Sequence, residues 1–289
     1  MVIDSHYHLE ERLLSVAELL KKMDETGVGK IALMAVMNNL IADTKGFILA
    51  IMRFLLTHRR FREIGNRMIA NFDAEGNIKV PDGIIEIYPD PDNEPIFKAV
   101  KGYPGRFLGW IFVNPRGKND QVKEFEKWKD EPGFVGVKAH PFWHRFPPVE
   151  LLPVAERVAE MGKPLLIHVG FGIDGDFNAL VEKVPNLKLI LAHTGFPCYS
   201  DTWREIKDNE NIMVDLSARS YVDRKITRQV VDYLGAERVL FGTDGPYGHR
   251  GEDGKFDYGY IKRRIEELFP DRGVQKMILG ENLIRFAEL

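Results

Sequence analysis

The sequence has a single cysteine, Cys198, among its 289 residues, so no internal disulfide is possible. That usage fits a reducing compartment, and a cytoplasmic location is expected. Neither sign of charge dominates: 40 Lys and Arg stand against 43 Asp and Glu, a net charge of −3. A global attraction to nucleic acid or to an anionic membrane surface is therefore not expected. The longest apolar runs, "IALMAVM" and "FILAIM", are too short to span a bilayer. No basic start followed by an apolar stretch marks a secretory signal; a strand carrying histidines begins at Val2 instead. Internal repeats and low-complexity segments are missing as well. What remains is a soluble globular chain whose expected partner is a small molecule.

Short apolar runs bounded by turn residues recur at 2–8, 30–36, 106–114, 134–140, 164–170, 187–193, 212–218 and 238–244. Several are nearly continuous in apolar character, as parallel strands covered on both faces require. Helical patterns lie between them. "SVAELLKKMDETG" opens on Ser15 with Glu18 three residues later, a capping box, and stops at Gly27. Eight strand–helix alternations predict a (β/α)8 TIM barrel, one domain over residues 1–289. An open doubly wound sheet is the competitor, but no Gly-x-Gly-x-x-Gly follows the first strand. The beat breaks once, between strands 2 and 3, where a helical insert is expected. Its residues 44–68, "TKGFILAIMRFLLTHRRFREIGNRM", would cap the pocket, offer a homodimer surface, or simply cover the barrel with a solvated basic face.

In "IDSHYHL", strand alternation puts His6 and His8 on one face and Tyr7 on the other. Two adjacent imidazoles make a poor apolar surface and a good pair of metal ligands. His140, His168 and His193 also fall at or beside strand C-termini, and Asp244 ends the last strand in "LFGTDGPYG". Barrel enzymes keep their chemistry at that end. Nitrogen donors from several strands and one carboxylate make a metal site of His6, His8, His168 and Asp244. Lys138 shares a face with His140. Trp143, in the loop after strand 4, and Arg219, just past strand 7, are candidate substrate contacts along with His140 and Lys138; Arg219 suits an anionic group.

The ordered phrases "DSHYHL", "GVKAHP", "PLLIHVG", "LILAHTG" and "VLFGTDGPY" resemble the amidohydrolase superfamily, in its amidohydrolase-related branch of hydrolases and decarboxylases. The resemblance implies one divalent metal per chain, zinc first, with manganese or iron as alternatives. It implies that Asp244 both touches the metal and takes a proton. His193 would be the base in a one-metal site and a ligand in a two-metal site. Lys138 would be a carboxylated bridge between two metals, a paired buried lysine, or a cation for a substrate carboxylate. The leading expectation is a metal-dependent hydrolase of an amide, lactone or ester bond in a small molecule, using metal-activated water. The alternative is a metal-dependent, non-oxidative decarboxylase of an aromatic or unsaturated carboxylic acid.

Overall fold

The computed structural model describes residues 1–39, 46–69, 71–80, 83–170, 172–251 and 254–289. Eight parallel strands form one sheet in the order β1 (Ile3–His8), β2 (Lys30–Met34), β5 (Phe107–Phe112), β6 (Phe134–Ala139), β7 (Pro164–Ile167), β8 (Lys188–Leu191), β9 (Ile212–Asp215) and β10 (Val239–Leu240). Each expected strand is present, trimmed at its ends. Hydrogen bonds close the circle between β1 and the chain after β10. Ser5 N–H donates to Phe241 O (2.9 Å), Asp244 N–H to His6 O (2.8 Å) and His8 N–H to Gly245 O (2.8 Å). The result is the TIM barrel that the alternation predicts. The capping box forms: Ser15 Oγ accepts from Glu18 N–H, and the Glu18 carboxylate accepts from Ser15 N–H.

Two cores follow from strand alternation. Outward residues such as Leu33, Ile111, Val137 and Leu165 pack under the helices. Inward residues, among them Ile3, Met34, Trp110, Val135, Leu166, Ile190 and Met213, fill the barrel together with Leu283 and Phe286 of the C-terminal helix Asn282–Ala287. In β1, however, Ile3 joins this inner cluster and Tyr7 the outer one. That parity requires a switch. The pairing of β1 with β2 slips by one residue between Asp4 and Tyr7, and such a bulge turns all later side chains to the opposite face. The same device recurs in β6. Its register against β5 slips where Gly109 pairs Phe134 but Trp110 pairs Gly136. Val135 is inside, Val137 and Ala139 are outside, and Lys138 and His140 take the inward positions beyond the slip.

The insert between β2 and β5 holds helices Gly46–Thr57 and Arg62–Ile69. Thr44 and Lys45, at the start of the expected helical stretch, lie outside the described residues. The insert also carries a hairpin that the sequence reading missed, β3 (Ile78–Val80) antiparallel to β4 (Gly83–Ile85). Three-residue runs are too short to show a period. Arg53 Nη2 reaches Asp223 Oδ2 (2.5 Å), and Arg62 Nη1 lies 3.6 Å from Asp201 Oδ2. Asp201 and Asp223 follow β8 and β9, on the far wall from β2 in the strand order. The insert therefore bridges the C-terminal mouth, which is the capping arrangement. No helix among the described residues is long and apolar enough to cross a membrane.

Gly136 marks where the β6 slip becomes obligatory. A Cβ there would stand 2.1 Å from Pro164 O and 2.8 Å from the Trp110 ring. Gly136→Ala is expected to destabilise the fold by roughly 2–3 kcal/mol. Gly102→Ala, at a helical position with nothing within 4 Å, should stabilise by about 0.5 kcal/mol. Paired urea denaturation curves check both.

Candidate metal centre

The C-terminal mouth gathers His6, His8, Lys138, His140, His193 and Asp215, all buried, with His168 and Asp244 part-buried beside them. One metal-competent group is His6, His8 and Asp244, whose donor atoms lie within 4.8 Å of one another. Asp244 Oδ1 is 3.4 Å from His6 Nε2 and 3.5 Å from His8 Nε2. Two donors from β1 and one from the chain after β10 thus converge where barrel closure brings those segments side by side. Asp244 takes a left-handed backbone (φ 58°), as do His193 (φ 53°) and Thr194 (φ 58°). Such conformations are uncommon outside glycine and concentrate at functional sites.

The second nitrogen of each ring reveals what the first is for. His6 Nδ1–H donates to Asp215 Oδ2 (2.8 Å), His8 Nδ1–H to Ala35 O (3.0 Å) and His168 Nδ1–H to Val169 O (3.1 Å). His193 Nδ1–H faces Ser217 O (3.3 Å) and Ser217 Oγ (2.8 Å). A backbone carbonyl can only accept, so those Nδ1 atoms carry the proton, and a carboxylate imposes the same tautomer on His6. In all four rings the Nε2 lone pair is left for a metal or a proton, the outer-shell pattern of metal-binding histidines. The donor set therefore fits a divalent metal, with His6, His8 and Asp244 as its nucleus.

His168 lies outside that compact group. Its ring centroid is 4.7 Å from His193 and 4.2 Å from His140, so it borders the centre on the β7 side. A second compact group, His6, His193 and Asp215, uses the opposite nitrogen of His6. It reads as scaffold, because the His6–Asp215 contact is already a hydrogen bond. Burial lowers the His6 pKa to about 4 despite the opposing pull of Asp215, and burial likewise holds His168 well below the ordinary range. Burial tends to raise Asp244, but His8, His193 and His6 outweigh it and hold the carboxyl ionised. Burial lowers the Lys138 ammonium to about 8, opposed by Asp215 and Asp244.

Two residues escaped the sequence reading. Asp215, at the end of β9, accepts from His6, from His193 N–H (3.0 Å), from Ser217 N–H (2.9 Å) and from the Ser217 hydroxyl. A fully buried acid closing the apolar run "IMVD" was the available signal. Tyr221 packs 5.2 Å from His193 and 4.3 Å from Phe196 by ring centroid. Arg219 engages the chain after β10: its guanidinium lies 5.0 Å from the Tyr260 ring and Nη1 is 2.6 Å from His249 Nδ1. Trp143 is partly buried with its ring 5.2 Å from His140. A cleft of about 330 Å³ opens beside His8, lined by Glu10, Arg12, Ala35 and Tyr88 among others.

Asp215→Asn keeps the shape but gives His6 a weaker, ambivalent partner. Metal affinity is expected to fall about 10–100-fold, read by competition with a chelating indicator.

Comparisons place this arrangement among known folds. A search of curated proteins by sequence found no match. By structure, the chain is similar to the 5-carboxyvanillate decarboxylase of Sphingomonas paucimobilis: TM-score 0.62, 16% identity, covering 100% of this chain and 99% of that one. A Pseudomonas putida protein described as a 2-pyrone-4,6-dicarboxylic acid hydrolase gives TM-score 0.63 and 16% identity over 99% of this chain and 97% of its own. A dihydroxybenzoic acid decarboxylase from Polaromonas sp. JS666, with bound manganese and the inhibitor 2-nitroresorcinol, gives 0.59 and 16% over 100% and 97%. At such identities the likeness speaks for the fold. The amidohydrolase family profile matches residues 85–286, and over that span the chain belongs to the amidohydrolase family.

Proposed function

We propose that the protein is a metal-dependent, non-oxidative decarboxylase of an aromatic or unsaturated carboxylic acid. The reading first expected from sequence, a hydrolase, thus moves to second place. One observation carries the order: among the named full-length fold neighbours, decarboxylases of hydroxylated aromatic acids outnumber hydrolases. The site is compatible with that chemistry. His6, His8, Asp244 and His168 would hold the metal, which supplies positive charge for the substrate's oxygens as negative charge develops. Zinc and manganese both suit such donors, and manganese is present in the Polaromonas relative.

Loss of carbon dioxide leaves an electron pair on carbon, and that carbon must gain one proton. In this reading His193 supplies it. Its Nδ1–H is committed to Ser217, so Nε2 can take a proton and hand it on. Tyr221, itself stacked on Phe196, walls the ring from one side. Lys138 lies deeper, within electrostatic reach of Asp215 and Asp244, as a cation for the substrate carboxylate. The hydrolase reading keeps one supporting feature, because the same Nε2 lone pair would serve equally as base toward water.

The test is carbon dioxide release from a panel of hydroxybenzoates and unsaturated acids by protein reconstituted with manganese or zinc. Release should require metal, stop on chelation and return on reloading. His8→Ala and Asp244→Asn should each lower kcat/KM by roughly a hundredfold or more. Acid production from lactones without carbon dioxide release would give the site to hydrolysis instead.

A further inference from the structure

Five histidines surround the mouth, and four of them share one polarity. His140 has the other. It follows the last residue of β6 and caps the short helix Pro141–His144. There Trp143 N–H donates to His140 Nδ1 (3.1 Å). A backbone N–H can only donate, so Nδ1 presents its lone pair. A ring whose Nδ1 offers a lone pair holds no second proton and is therefore neutral. A neutral imidazole has one N–H, which must then sit on Nε2.

We propose that His140 is the substrate-binding donor of the site: a neutral imidazole whose Nε2–H binds an acceptor oxygen, carboxylate or carbonyl, of the bound molecule. This rests on the reading of the mouth as a substrate site given above. The ring is held for the purpose. It stacks on His168 at 4.2 Å with a 17° interplanar angle and lies 5.2 Å from Trp143. Its Nε2 has no hydrogen-bond partner among the described residues. A metal ligand needs a lone pair where this ring holds a hydrogen, so His140 stands outside the ligand set despite sitting beside His168. Lys138, two residues earlier on the same inward face, supplies a second donor that also lacks acceptor capacity. The corner made by β6 therefore selects for oxygen acceptors and rejects a group that can only donate, such as an ammonium.

The experiment is nitrogen-15 NMR on histidine-labelled, zinc-loaded protein, in which protonated, lone-pair and metal-bound ring nitrogens are separated by chemical shift. The His140 signals are assigned by their loss in His140→Gln, or by their displacement in Trp143→Ala if that variant does not fold. A protonated Nε2 with a lone pair on Nδ1 is expected. A protonated Nδ1, or a metal-bound Nε2, overturns the proposal. Salicylate binding to the same zinc-loaded protein supplies the second reading. His140→Asn, whose amide cannot reach the Nε2 position, should weaken binding about tenfold, and His140→Gln should recover most of that loss with metal stoichiometry unchanged. Equal affinity in wild type and His140→Asn also overturns it. Wild-type protein that binds zinc but no salicylate would count against the aromatic-acid reading, while the nitrogen pattern still rules on this one.

Discussion

The carboxylate of Asp215 is the interaction on which the centre depends. It is removed from solvent at the end of β9, where an unpartnered charge would carry a desolvation penalty of several kcal/mol. Four hydrogen bonds offset that penalty, and each fixes a part of the site: the His6 ring, the His193 backbone, and both the backbone and hydroxyl of Ser217. Ser217, with its hydrogen given to Asp215, accepts in turn from His193. Burial works against ionisation here, but His6 and its neighbours prevail and hold Asp215 well below the usual carboxylate range. One buried charge thus sets the tautomer of a candidate ligand and the backbone of a candidate proton carrier. The left-handed turn at His193 is held in part by the same carboxylate, through the residue's own N–H.

The barrel divides its inner volume along its axis. Towards the N-terminal end, Ile3, Val135, Leu166 and Met213 pack with Leu283 and Phe286 of the closing helix. Towards the other end, polar side chains take over the inward positions. In β1 and β6 a one-residue slip separates the two regimes. A regular strand would force one parity on both, so that an inward Ile3 would go with an inward Tyr7 and an outward His6. The slips free the packing of the floor from the chemistry of the mouth.

Much of this was legible in the sequence because it rests on local, periodic signals. Eight apolar runs with capped helices between them define a barrel, and "SHYH" places two imidazoles on one face whatever the register. His6, His8 and Asp244 converge because barrel closure is a strong geometric constraint. Other features depend on contacts that no local pattern encodes. Asp215 reads as the polar end of a strand until His6, 209 positions away, is seen to donate to it. The polarity of His140 depends on which way the Trp143 N–H points. The partners of Arg219, Tyr260 and His249, lie 30 or more positions on and leave no local trace. The paired strands Ile78–Val80 and Gly83–Ile85 are too short to announce themselves.

The slips in β1 and β6 also bear on which genetic changes this architecture tolerates. A substitution at a barrel position exchanges one side chain and leaves its neighbours facing as before. A one-residue deletion near a slip does something different: it can erase the slip, rotate the downstream segment by half a turn, and present Tyr7 or Val137 where a histidine or lysine belongs. Loops on this fold are free to vary in length, and the insert after β2 shows how far that freedom runs. The two slipped strands are not. In the descent of such a chain, their residue count should be held more tightly than the identity of many residues within them, and a length change there would be a change of chemistry before it was a change of fold.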